Sequence, residues 1–172
     1  MQITDLTSRN GSAVRQAAEL LVDLLPGPTI DERRKEVREC LAPDKIARMA
    51  VEGETVLGWI GGRERYAGHL WELHPLVVQR ERQRQGIGQA LVEDPEEHVR
   101  ARGAHTILVA ADYEPGIDLY ANVLEHLRGI KNVRDYQYEF YERCGYVILG
   151  VVPDANGFSN IYMAKRIVPL AR

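Results

Sequence analysis

The chain has 172 residues, 45% hydrophobic and 27% charged, a composition that excludes disordered, collagen-like and disulfide-scaffold classes. A formal net charge of −3 gives no electrostatic drive toward nucleic acid, and no apolar run reaches the length of a bilayer span. The size suits one domain, residues 1–172, large enough to bury a core.

Residues 2–6 (QITDL) read as a short first strand. Ser12 or Asn10 can cap a helix carrying Val14, Ala17, Ala18, Leu21, Val22 and Leu25 on one face, and Pro26-Gly27-Pro28 ends it. Thr29 followed by Glu32 is a capping-box pattern, opening a second, highly charged helix that ends near Leu41. Ile46–Val51 and Thr55–Gly62 read as strands joined by a hairpin turn at Glu52-Gly53-Glu54. Gly61-Gly62 and Gly68 then bracket a short connection into a strand at 71–78, which is rich in β-branched and aromatic residues.

A helix is predicted from Ile87 to Arg102 with Pro95 in its middle. Proline there removes a backbone hydrogen bond and clashes with the preceding turn, at about 3 kcal/mol, so a kink or break is expected near Glu93. His105–Ala110 reads as a buried-type strand. Asp118–Arg128 reads as an inserted helix, Gly129–Asp135 as a linker, and Tyr136–Arg143 as a short helix closed by Gly145. Tyr146–Val152 and Ile161–Ile167 are the last strands, with a turn-rich loop at Pro153–Ser159 between them. Cys40 and Cys144 read as plain thiols of a cytoplasmic protein, since nothing at the N-terminus resembles a signal peptide.

Between the 71–78 strand and its helix lies the pattern Gln83-x-x-Gly86-x-Gly88. A strand feeding a helix through glycines leaves backbone N–H groups unpaired at the positive end of the helix dipole, which suits a pyrophosphate. The pattern lacks the third spaced glycine and distant acid of a dinucleotide fold, and no Gly-Lys-Ser/Thr follows as in a Walker loop. The same glycines also fit a plain turn. Arg80, Arg82 and Arg84 beside it suit a small polyanion better than a polymer.

That pattern resembles motif A of the GNAT superfamily of acetyl-CoA-dependent N-acetyltransferases. The element order is also that of the GNAT fold. The resemblance implies an α/β fold whose mixed, mostly antiparallel central sheet, flanked by helices, splays between strands 4 and 5. Three longer pieces, WELHPLVV at 71–78, GIKNVRDYQYEFYERCGYVILGVVPDANG at 129–157 and IYMAKRI at 161–167, resemble the aminoglycoside 6′-N-acetyltransferases of the homodimeric, chromosomal-type subgroup. By resemblance, acetyl-CoA is the donor and no metal takes part. It would be held by Leu76, Val77, Val78, Gln83, Arg84, Gln85, Gly86, Ile87, Gly88, Gln89 and Tyr141.

The transfer needs a base, because the acceptor amine is mostly protonated at neutral pH. Strand alternation would set Glu72, His74, Leu76 and Val78 on one face and Trp71, Leu73 and Val77 on the other. Glu72 is the candidate base, able both to hold an ammonium and to accept its proton, with His74 supporting it or serving the strand alone. Pro75 has no amide hydrogen, so Leu76 N–H is the candidate oxyanion donor. Tyr141 matches the family tyrosine that protonates the departing thiolate; its other reading is a packed aromatic beside Phe140. For a cationic acceptor, Glu72, Asp112, Glu114, Asp118, Glu139 and Asp154 are the candidate carboxylates.

The chain departs from the subgroup in a shorter acidic loop, AADYEPGID, and in Asn160 where the family has an aspartate. Three readings therefore stand. One is transfer to an aminoglycoside 6′-amine, and another is the same chemistry on a different small cationic amine, such as a polyamine or metabolite. The third is a non-catalytic module that binds acetyl-CoA or an aminoglycoside.

Overall fold

The first helix forms because Asn10 accepts a hydrogen bond from Ala13 N at 3.0 Å, making it the cap in preference to Ser12. In this computed structural model, which describes residues 1–25, 27–113, 137–153 and 159–168, the chain forms two compact units, Met1–His105 and Thr106–Arg172. The first unit contains β1 (Gln2–Asp5), α1 (Gly11–Leu24), α2 (Ile30–Cys40), β2 (Ile46–Glu52), β3 (Thr55–Tyr66), β4 (Leu70–Val78) and α3 (Ile87–Ala101). Its strands pair antiparallel in the order β1-β2-β3-β4. The second contains β5 (Thr106–Tyr113), α4 (Gln137–Arg143), β6 (Val147–Pro153) and β7 (Ser159–Arg166), with the antiparallel order β5-β7-β6. The helix expected over 118–128, the linker over 129–135 and the loop residues 154–158 lie outside the described residues.

One face of α1, through Ala13, Val14, Ala17, Ala18 and Leu21, packs with Val37 of α2 against Ala47, Met49, Val56, Trp59 and Val77 of the sheet. Trp59 Nε1 fixes the register by donating to the Ala17 carbonyl at 3.1 Å. Val22 is 43% exposed and lies off that face, against the expected pattern. The capping box forms as predicted, with Thr29 N and Glu32 Oε2 at 2.7 Å. The hairpin also forms, with Glu52 opposite Thr55 and Gly53 at φ +60°.

Two signals read differently in the structure, for physical reasons. Gly61 and Gly62 do not open a connection; they lie inside β3, which continues to Tyr66. A Cβ on Gly61 would sit 2.5 Å from the His74 carbonyl oxygen, so glycine serves here for close approach of β4. Nor does Pro95 break α3, which is unbroken from Ile87 to Ala101. Pro95 is buried along with Leu91, Val92, Glu96 and Val99, and the neighbouring Asp94 is gripped by Arg48 Nε at 2.6 Å and Nη2 at 3.0 Å. Packing on the sheet outweighs the lost backbone bond. Arg48 also pairs with Asp5, so one buried guanidinium joins β1, β2 and α3.

Candidate active site

The β3–β4 ladder sets the geometry of the candidate base. Ile60 faces Leu76, but two residues further along β3, Gly62 faces Leu73 and Arg63 faces Glu72. Strand β4 therefore carries one extra residue at His74-Pro75. An added residue flips the alternation beyond it. Glu72 consequently shares the face of Val77, while Trp71 and Leu73 share that of Leu76 and Val78. This corrects the simple alternation predicted for 71–78.

Glu72 is 5% exposed. Its Oε2 accepts from Arg63 Nε at 2.7 Å and lies 2.8 Å from Arg65 Nε. Arg65, two residues along β3 and so on the same face as Arg63, reaches the same carboxylate. Both guanidiniums belong to side chains nearly half exposed. Oε1 accepts no hydrogen bond from any described residue. His74 is exposed and lines a cleft of about 110 Å³ with Glu36, Glu39, Cys40, Lys45, Gly62 and Arg63. Burial pushes the Cys40 thiol above its ordinary range.

Beyond Val78 the chain makes a 3-10 turn at Arg80–Arg82 and reaches α3 through Arg84 at φ +59° and Gly86 at φ +82°. The first bond of α3 runs from Ala90 N to Gly86 O at 3.0 Å, which leaves the N–H groups of Ile87, Gly88 and Gln89 outside the helical ladder. No side chain caps them, and no acid lies in the first turn. Such a terminus fits a pyrophosphate. The motif's glutamines brace the turn. Gln83 donates to Val78 O at 3.1 Å, Gln85 to Glu81 O at 3.0 Å, and Gln89 to Glu93 at 2.8 Å. Arg80 donates to Asp23 O and Arg82 pairs with Glu52, whereas Arg84 meets no described carboxylate.

In the second unit, Tyr141 on α4 is buried, its ring 5.0 Å from Phe140 and 5.7 Å from Tyr146. Glu139 lies one helical turn before Arg143, at 3.9 Å. Asp112 stands opposite Asn160 in the β5–β7 ladder. Glu114, Asp118 and Asp154 lie outside the described residues. Arg63, Arg65, Glu36 and Glu39 were not anticipated. Alternating charges at the end of a strand read as solvated, and only the ladder shows Arg63 opposite Glu72.

A model described as the acetyltransferase (GNAT) family matches residues 14–125. A solved aminoglycoside 6′-N-acetyltransferase complexed with coenzyme A is 34% identical, with both chains covered in full and a TM-score of 0.90. The aminoglycoside 6′-N-acetyltransferase from Enterococcus faecium is 34% identical over both full chains, with a TM-score of 0.86. Aminoglycoside 6′-acetyltransferase type Ii is 36% identical over 99% of this chain and 100% of that one, with a TM-score of 0.77. No curated protein matches the chain significantly.

Proposed function

The chain belongs to the GNAT acetyltransferase family, and from that membership we propose that it moves acetyl from acetyl-CoA directly to the 6′-amine of an aminoglycoside. It is an acyltransferase, with acetyl-CoA as its donor. The observation that carries the finer reading is 34–36% identity, across essentially the whole chain, to three solved aminoglycoside 6′-acetyltransferases.

The reaction assigns each residue a role. The unpaired N–H groups at Ile87–Gln89, in the turn built by Gln83, Arg84, Gln85 and Gly86, hold the coenzyme's pyrophosphate, and Val77 and Val78 run beside its arm. Acetyl-CoA supplies a thioester carbonyl open to attack. Glu72 takes a proton from the acceptor ammonium, and His74 lies two residues along the same strand. As the C–N bond forms, Leu76 N–H donates to the carbonyl oxygen. As the C–S bond breaks, the Tyr141 hydroxyl gives its proton to sulfur. Asp112, Glu114, Asp118, Glu139 and Asp154 are the carboxylates available to the acceptor's other amines.

Thiol release from acetyl-CoA tests this with two related aminoglycosides, one carrying a 6′-amine and the other a 6′-hydroxyl. Turnover with the amine alone is expected. Silence with both, while acetyl-CoA binds, would overturn the aminoglycoside reading and send the search to other small amines.

The second reading, transfer to another small amine, is favoured by the two arginines already paired with Glu72. A cytoplasmic single domain suits the family model, whose 14–125 span runs across both units. A homodimer draws support from β6, an edge strand of its unit, where Val147 and Leu149 are each 63% exposed. Sedimentation at the mass of one chain would remove the dimer.

A further inference from the structure

We propose that Arg63 and Arg65 are positioning residues for the transfer. They hold Glu72 by one carboxylate oxygen and set positive charge beside the acceptor ammonium at the other, which drives that ammonium's proton out of the site. The inference rests on the reading that Glu72 meets the acceptor amine. Its own observation is the pairing: Glu72 Oε2, in a side chain 7% exposed, lies 2.7 and 2.8 Å from the Nε atoms of the two arginines. Oε1 accepts no hydrogen bond from a described residue and is left for the ammonium.

A buried carboxylate facing an ammonium alone would stabilise the charged amine, and a protonated amine cannot attack a thioester. Two guanidiniums on the same carboxylate turn a local charge of −1 into +1. A neighbouring cation disfavours the protonated form of an amine, as it does for lysine nucleophiles. An N–H bond of the ammonium breaks, the proton passes to Oε1 and on to water, and the electron pair left on nitrogen forms the C–N bond. The arginines disfavour the extra proton at both stops, on nitrogen and on Oε1, so Glu72 sheds it and is ready for the next turnover. The effect falls on the reacting ammonium and is the same for an aminoglycoside and a simple amine.

The other charged groups of the first unit near these side chains are balanced or carry the same sign. Glu36 on α2 pairs with Arg33 at 2.7 Å, and Glu39 lies 4.0 Å from Lys35. Lys45, ahead of β2, donates to the Glu39 carbonyl at 2.7 Å and lines the cleft with Arg63, His74 and Cys40. His74 adds positive charge when protonated, and burial keeps the Cys40 thiol neutral. Glu64 on β3 is engaged by the Gly68 backbone N–H at 2.6 Å.

The test is kcat as a function of pH, with acetyl-CoA and a 6′-amino aminoglycoside both saturating. The rise of kcat with pH reports ionisation of the bound complex. In R63Q/R65Q that rise should move up by about one pH unit at low salt, so kcat at pH 7 falls about tenfold and is regained in alkali. KM for the aminoglycoside should fall with it, because the ammonium is held more tightly. The shift should shrink with added salt, since both guanidiniums are nearly half exposed. R65Q alone, which leaves Arg63 on the carboxylate, should show a smaller shift of the same sign. R63K/R65K keeps the charge and should return the rise to its place, with coenzyme A affinity reporting that each variant is folded.

A merely structural role predicts loss of kcat at every pH, unrescued by lysine. That result, an unmoved rise, or one moved down would overturn the proposal. Glu72→Gln separates it from the reading beneath it. If that variant turns over as the unaltered chain does, Glu72 does not meet the amine and the proposal falls with that reading. If it loses turnover while R63Q/R65Q leaves the rise in place, the role of the arginines alone fails.

Discussion

The carbonyl oxygen of His74 occupies the space where a side chain at Gly61 would begin, 2.5 Å from an ideal Cβ. The contact is to backbone, so relief requires the two strands to part. Gly61→Ala should therefore destabilise the fold by about 2 kcal/mol, as an overpacked core does, and denaturant unfolding would measure it. Gly58 faces the same restriction, with a Cβ 2.6 Å from the Val77 carbonyl oxygen, and Gly58→Ala should behave alike.

Gly86 is needed for a different reason. Nothing lies within 4 Å of a Cβ there, but its φ of +82° disfavours any L side chain. Gly86→Ala should cost about 1 kcal/mol of stability. It should also weaken coenzyme A binding, measured by calorimetry, because the turn orients the first N–H groups of α3.

Replacing the candidate base tests its chemistry. Glu72→Gln should lower kcat on the order of 10²-fold while leaving the affinity for coenzyme A unchanged. An unchanged kcat would remove Glu72 from proton transfer.

The capping box makes a pH prediction. Glu32 is held below the usual carboxylate range, first by the Thr29 backbone N–H at 2.7 Å and then by its hydroxyl at 2.8 Å. A depressed folded pKa gives stability that is present above the unfolded value and lost as pH falls through the folded one. Glu32→Ala should therefore lower the unfolding midpoint at pH 7, with the difference narrowing in acid. A difference that widened in acid would contradict the assignment.

Cys40 shifts the other way, since burial raises its thiol. The neutral form is favoured in the fold, so its stabilisation is present below the unfolded pKa and is lost as pH rises through the folded one. Native Cys40 should react with an alkylating reagent near pH 8 much more slowly than in denaturant, as read by mass spectrometry.

The local signals that proved readable in the sequence are those carried by a residue and its near neighbours. Thr29 with Glu32, Asn10 before α1, and Gly53 in its hairpin each specify a terminus or turn within four positions. The glycines at 86 and 88 mark the uncapped end of α3 in the same way. What stayed hidden depends on chain partners far away. Pro95 signals a break unless it is known that the adjacent Asp94 is held by Arg48, 46 residues before that aspartate. Gly61 reads as a turn until β4 is laid against it. The face of Glu72, and its two arginines, followed from one extra residue in β4, which no periodicity can reveal.

The buried tryptophans have an optical consequence. The chain has two, Trp59 at 0% and Trp71 at 2% exposure, and both belong to Met1–His105. One donates to a carbonyl of α1, while the other lies beneath the Arg102 guanidinium at 5.3 Å from its ring centre. Indole emission is therefore a reporter of the first unit alone, shifting red as that unit admits water, while backbone dichroism averages over both. If the two signals trace one melting curve, the units unfold as a single cooperative body. If fluorescence moves at its own temperature, the melting of the first unit can be followed without any added label.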